Sequence, residues 1–413
     1  MTDLTNLAND IQAVKSDLAN AISLKGVPCS TNDAFNSYSD KVNSIQSGYF
    51  AGVNLANITS FPPNSSITVK GNVLQGDLMF NSLTSMQPTP ALVCTDCGGI
   101  TGIYCPNLTS VSYFPSFRNC HDLTSAYFPS LISVDVGMSY AFCDCHNLTT
   151  INFDSFGGTA AETTGMFWNC NHLTHANFPA MTSAASSGLM FVNCSNLTSF
   201  SAPNCSYITN MTNMFQNCYN LTEVNLSNLS RINTASPYAF ENCHNLRSFS
   251  LPNYAANIPN IVSAFANCIC LQNFSANCSG LVANAFWGAF YNCHNLTNFS
   301  LNVSSRVATT GSFMSCFLNC ENFQDTSFLA QFESATTNAF NGCFRNCFAL
   351  NGQNIYFNSL VTITGSSTTF TNMLYGISDS TVHFKSELQS AIGSLPDVLA
   401  GFGGTNTTVL FDL

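Results

Sequence analysis

At 413 residues the chain is longer than one average globular domain, so either several domains or a repeat architecture is expected. Apolar residues make up 46% of it but charged residues only 8%, against roughly 25% in an ordinary soluble domain. Its surface must therefore be built from Asn, Ser and Thr, which suits a rigid extracellular or virion protein better than a cytosolic enzyme. A net charge of -11, with ten Lys plus Arg and no basic run, argues against phosphate recognition and so against nucleic acid as a partner.

The start, Met1-Thr2-Asp3-Leu4-Thr5, is polar, with no basic opening and no apolar run behind it, so no secretory leader is expected there. No stretch of about 18 apolar residues occurs, and membrane insertion is not expected. Leu4, Leu7, Ile11, Val14, Leu18 and Ala21 recur at intervals of 3, 4, 3, 4 and 3, the spacing of a coiled-coil seam under three heptads long. An amphipathic helix packed on its own domain has the same spacing. As a seam, Leu4, Leu7, Ile11, Val14 and Leu18 would associate copies of the chain, a homotrimer being one outcome. Thr31-Asn32-Asp33 offers caps for a second helix with Phe35, Val42 and Ile45 on one face. Residues 1–46 are thus read as a small α-helical assembly or attachment segment. Residues 47–100, rich in Gly, Pro, Ser and Asn with short runs such as Ile67-Thr-Val69, are read as a β-rich adaptor and amino-terminal cap.

Over residues 101–380 one unit recurs, Phe-x-Asn-Cys-x-Asn-Leu-Thr. Its cysteines are Cys120, Cys145, Cys170, Cys194, Cys218, Cys243, Cys268, Cys293, Cys320 and Cys347, at intervals of 24 to 27 residues. Phe stands three residues before the Cys in all ten copies, and Leu three after it in nine, Phe323 being the exception. Asn directly precedes nine of them, with Asp144 the odd one. From the Leu onward the pattern alternates, as in Leu221-Thr-Glu-Val224-Asn-Leu226, which predicts a short half-buried strand. One such coil cannot bury its apolar face, but stacked coils share a core. Their strands would pair in parallel about 4.8 Å apart. The Phe-x-Asn-Cys half is expected to form a helical turn opposite, Phe inward, with stacked Asn side chains satisfying the turn's backbone groups. This is the pattern of a leucine-rich-repeat solenoid of about ten 24–27-residue repeats. In residues 381–413, Thr381-Val-His-Phe384 and Thr408-Val-Leu-Phe411 predict strands. Ser386 to Leu399 predicts a helix interrupted near Pro396, and together these form a carboxyl-terminal cap.

No candidate catalytic or metal site stands out. The ten ladder cysteines share one register, so they are expected as buried reduced thiols, which behave as small hydrophobes. Cys316 and Cys343 stand four residues before ladder cysteines, where other copies carry Met166, Met190, Met214, Ala239, Ala264 and Ala289; a core role outweighs a zinc site. Cys94, Cys97 and Cys105 lie outside the regular array, and their redox state stays open. His121, His146, His244 and His294 all follow the ladder Cys directly and mark a turn position. Asp154, Glu162, Glu223, Glu321, Asp325 and Glu333 fall in different coils and do not make the paired carboxylates of a glycosidase. No cofactor is implied. What remains is the outward face of the strands, a flat uncharged strip in columns such as Ser125/Tyr127 and Thr150/Asn152. Tyr127, Asn152, His175 and Asn177 are the residues expected to touch a ligand there.

Met214-Phe215-Gln-Asn-Cys218-Tyr-Asn-Leu221-Thr222 closely resembles the core of the BspA-like leucine-rich-repeat proteins, and the resemblance covers about residues 101–380. It implies a solenoid and, commonly, adhesion or surface display, but no ligand; a host-surface glycan or protein is the partner expected for the strand face. Leu18-Ala-Asn-Ala-Ile22 with Lys25-Gly26-Val27, Phe35 and Ile45 resembles amino-terminal segments of phage tail and related virion proteins. That implies location in a virion, with other virion proteins or further copies of the chain as partners. A cell-surface adhesin is the alternative, and a glycan-depolymerising enzyme the more distant one.

Overall fold

The computed structural model describes residues 16, 18–19, 50–51, 67–70, 74–86, 92–112, 114–157, 162–251, 254, 256–364, 368–389 and 401–413. The chain divides into two compact units, Met1–Asn204 and Cys205–Leu413. Of the expected amino-terminal helices, only Ser16, Leu18 and Ala19 are described, and they are helical; Leu4, Leu7, Ile11 and Val14 lie outside the described residues.

Among the described residues both units are built from stacked coils of a parallel-strand solenoid, about 12 turns in all and with almost no helix. In the first unit Leu74–Met79, Ile100–Tyr104, Ser125–Tyr127 and Thr150–Asn152 lie side by side in one parallel sheet, and His175–Asn177 pairs with Ser199–Ser201 in another. In the second unit Ser248–Leu251, Asn273–Cys278 and Asn298–Val303 form one sheet, and Asn354–Phe357, Thr381–Phe384 and Thr408–Phe411 form another. The period of two is visible residue by residue. Asn298, Ser300 and Asn302 are exposed while Phe299, Leu301 and Val303 are buried.

The opposite side of each coil is not the expected turn of helix but a run of short turns. Ser263, Phe265 and Asn267 donate their amides to Trp287, Ala289 and Tyr291 of the following coil, at 2.8 to 3.0 Å. The residues between them, Ala264, Ala266 and Cys268, donate back to Ile261, Ser263 and Phe265 of their own coil. A helix would aim every amide along its own axis and leave neighbouring coils unjoined here. The alternation places Ser263 (φ 51) and Asn267 (φ 61) in the left-handed region. Asn tolerates that region better than most residues, which accounts for its recurrence before the ladder Cys.

Three side-chain ladders follow. In the second unit the amides of Asn242, Asn267, Asn292, Asn319 and Asn346 each donate to the side-chain oxygen of the preceding coil's Asn at 2.7 to 2.9 Å. These asparagines therefore satisfy one another, where the sequence suggested that they serve the backbone. The thiols of Cys243, Cys268, Cys293, Cys320 and Cys347 point to the carbonyls of Phe215, Phe240, Phe265, Phe290 and Phe317 at 3.0 to 3.2 Å. Cys fits because it is small enough for the core and still carries a weak donor. Rings of Phe215, Phe240, Phe265, Phe290, Phe317 and Phe344 stack at 5.0 to 5.7 Å. The first unit repeats the scheme, with Phe117, Phe142, Phe167 and Phe191 stacked at 5.4 to 5.6 Å.

The cluster Cys94, Cys97 and Cys105 belongs to this array. Asp96 is left-handed (φ 59) and accepts from Asn119, as a ladder Asn would, and the Cys94 carbonyl accepts from the Cys120 thiol. Cys94 therefore holds the place of Phe117, Cys97 that of Cys120, and Cys105 that of Phe128, whose strand-end amide bonds it shares. The sequence hid this coil because both of its phenylalanines are replaced by cysteine.

Candidate binding face

The parallel register of the first unit lines up two outward columns. Met79, Tyr104, Tyr127 and Asn152 form one, and Asp77, Gly102, Ser125 and Thr150 the other. Tyr127 is 39% and Met79 44% exposed, an unusual concentration of apolar surface on so polar a strip. The rings of Tyr104 and Tyr127 lie 6.2 Å apart at 42°, and the Tyr104 hydroxyl is 2.9 Å from Ser125 Oγ. Tyr104 reaches Ser125 by folding across Gly102. A Cβ on Gly102 would stand 2.5 Å from Tyr104 Cε2, 2.7 Å from Asp77 Oδ1 and 2.9 Å from Ser125 Oγ. Asp77 accepts from the Thr101 hydroxyl at 2.7 Å, and Asn152 donates to Asp154 at 3.0 Å.

Of the four residues selected from sequence, Tyr127 and Asn152 are register partners. His175 and Asn177 are exposed on the following strand, which belongs to a separate sheet and pairs with Ser199 and Ser201. His175 Nδ1 lies 2.9 Å from the Thr174 hydroxyl. Tyr127 and Asn152 thus share one ladder, and His175 and Asn177 lie on the strand beside it. Sequence reasoning missed Asp77, Met79, Gly102 and Tyr104, because their coils lack the Phe-x-Asn-Cys signature.

The other groups weighed earlier serve the scaffold. His121 and His146 stack at 5.3 Å, His146 Nδ1 meets the Asn169 carbonyl at 2.9 Å, and His172 Nδ1 meets the His146 carbonyl at 2.7 Å. Cys316 and Cys343 are wholly buried, and burial raises both thiols well above their usual range. Hydrogen bonds from Cys120 and then Cys94 hold the Cys97 thiol below its ordinary value, while the same contacts and burial push Cys94 and Cys120 up. No disulfide joins the 19 described cysteines, and among the described residues no three His, Cys, Asp or Glu side chains are grouped to hold a metal ion. No described helix is long and apolar enough to cross a membrane.

Fold and face together define a leucine-rich-repeat solenoid with an exposed strand surface. The model of the BspA type leucine rich repeat region matches residues 113–247, 164–288 and 233–375, well over half of the sequence, so the chain belongs to that family. Solved structures give likenesses of fold. A leucine rich cell surface protein from Faecalibacterium prausnitzii is 16% identical, with 73% of this chain and 91% of that one covered and a TM-score of 0.33. A leucine-rich repeat protein from Eubacterium ventriosum is 11% identical, with 70% and 83% covered and a TM-score of 0.31. An internalin from Listeria monocytogenes is 12% identical, with 73% and 80% covered and a TM-score of 0.28. No curated protein sequence matches the chain. None of these comparisons supports the resemblance of the amino-terminal segment to virion proteins.

Proposed function

We propose that the protein is a non-enzymatic adhesion protein displayed outside the cell, which recognises glycans with the strand face of its first unit. Membership of the BspA type family, with which adhesion and surface display commonly go, supports this reading over the virion one. The observation that carries it is the in-register column Met79, Tyr104, Tyr127 and Asn152 beside the polar column Asp77, Ser125 and Thr150. A tyrosine ring offers a flat apolar face to the C–H surface of a sugar, and its hydroxyl one polar handle. Hydroxyl and amide groups at strand spacing supply partners for sugar hydroxyls without the desolvation cost of a bare charge. The test is a panel of immobilised neutral and amino glycans probed with the intact chain. Tyr127→Ala and Asn152→Ala are each expected to lower the affinity for the bound glycan at least tenfold. Equal binding by both variants, or no binding across the panel, refutes the assignment.

A further inference from the structure

The second unit carries a site of a different kind, where one of its ladders is interrupted. On the side face of its coils Tyr207–Ile208 pairs in parallel with Arg231–Ile232. Among its described residues the next coil offers no strand there. Instead the buried Tyr254 hydroxyl accepts from the Ile232 amide at 3.2 Å and lies 3.3 Å from the Asn257 carbonyl. A side chain thus stands in for a missing backbone rung, and parallel pairing resumes only as the single bridge Ile258–Leu281. The interruption leaves a groove of about 600 Å³ along the edge of Arg231, walled by Ser230, Asn233, Asn257 and Ser279.

Arg231 is exposed, and among the described residues no acid pairs with its guanidinium. The chain as a whole carries a net charge of -11 on only ten Lys plus Arg, so an unneutralised cation beside a groove is a rare feature of it. Asn257 is exposed and set flat along the groove: its Oδ1 accepts from the Ser279 hydroxyl at 2.8 Å, which leaves its Nδ2 to donate outward. That pose needs the glycine beside it, because a Cβ on Gly280 would lie 2.9 Å from Asn257 Oδ1. Asn233 donates to the Tyr207 hydroxyl at 2.6 Å, which fixes the far wall.

We propose that this groove binds carboxylate-bearing saccharides, with Arg231 taking the carboxylate and Asn257, Ser230 and Ser279 the neighbouring hydroxyls. A planar guanidinium matches a carboxylate in a two-point contact, and the neutral amide and hydroxyl groups around it suit a ring of hydroxyls. An acidic peptide fits less well, since beside its carboxylate it brings no ring of hydroxyls to Ser230, Asn257 and Ser279. The attraction of the exposed guanidinium for a carboxylate is screened by salt, so it is strongest at low ionic strength.

Calorimetric titration of the intact chain with tetragalacturonate, and with the same oligosaccharide after reduction of its carboxyl groups, tests the proposal. The acidic form is expected to bind and the reduced form not to. Arg231→Met is expected to weaken binding at least tenfold, as is Gly280→Ala through displacement of Asn257, with circular dichroism confirming that both variants stay folded. Added salt is expected to weaken binding in the wild type and to have little further effect in Arg231→Met. Absence of binding, equal binding of the reduced form, or an unchanged Arg231→Met overturns the site. Tighter binding of tetraglutamate overturns the saccharide assignment, and loss of binding in Tyr127→Ala would place the ligand on the strand face instead.

Discussion

Replacement of Asn267 by Ala removes the centre of the asparagine ladder. The wild-type side chain donates to Asn242 at 2.8 Å and accepts from Asn292 at 2.8 Å, and its backbone stands at φ 61. Each half-buried amide bond contributes on the order of 1 kcal/mol net. Ala at a left-handed position costs about 1 kcal/mol more than Asn, whose side chain tolerates it. The sum is about 3 kcal/mol, a large share of the roughly 5–15 kcal/mol that separates folded from unfolded domains. Asn267→Asp keeps the left-handed tolerance and the bond from Asn292 but cannot donate to Asn242, so about a third of the loss is expected. Asp144→Asn tests the converse. Asp144 accepts from Asn169 at 2.7 Å and from the Cys143 thiol at 3.3 Å and pairs with Arg118 at 3.7 Å, so an amide there gains a donor but loses the ion pair, and a net change under about 1 kcal/mol is expected. Urea unfolding followed by tryptophan fluorescence suits the Asn267 variants, because the carbonyl of Trp287 in the next coil accepts from the Ser263 amide. Coincidence with far-ultraviolet circular dichroism shows whether the stack melts as one unit and the difference can be read as a free energy. A loss under about 1 kcal/mol in Asn267→Ala would mean that the backbone turns hold the coil alone, and the argument fails.

Two further outcomes are expected. Gly102→Ala drives Tyr104 off Ser125 and out of its column, so glycan binding should fall as far as in Tyr127→Ala while the unfolding midpoint moves little; retained binding would separate Tyr104 from recognition. Burial pushes Cys143 and Cys145 up to about 12, and Cys205 and Cys278 up to about 11, from an ordinary 9.0. Above pH 9 the unfolded chain releases thiol protons that the native chain retains, so this stabilisation is complete below pH 9 and lost as pH rises toward 12. The melting temperature should therefore drop between pH 8 and 10.5, and a flat profile refutes buried reduced thiols.

The repeat determined most of the architecture directly. Phe, Asn, Cys and Leu return at 24 to 27 residues, and a period of that length with an alternating half admits little besides stacked coils with parallel strands. The same regularity identified the scaffold histidines and the buried thiols, because equivalent residues meet equivalent surroundings. Other features came only from the fold. That the turn sets a left-handed residue at every fourth position, as at Ser263 and Asn267, depends on amides finding carbonyls one coil away, a partner no local pattern reveals. That Cys94, Cys97 and Cys105 form a coil was hidden because cysteine replaces the phenylalanines that announce the unit. The aromatic column rests on register, which sets Met79 beside Tyr104 and Tyr104 beside Tyr127 although more than twenty residues separate each pair. The groove at Arg231 exists because one tyrosine hydroxyl replaces a backbone rung, an exception to the period and so beyond what the period could predict.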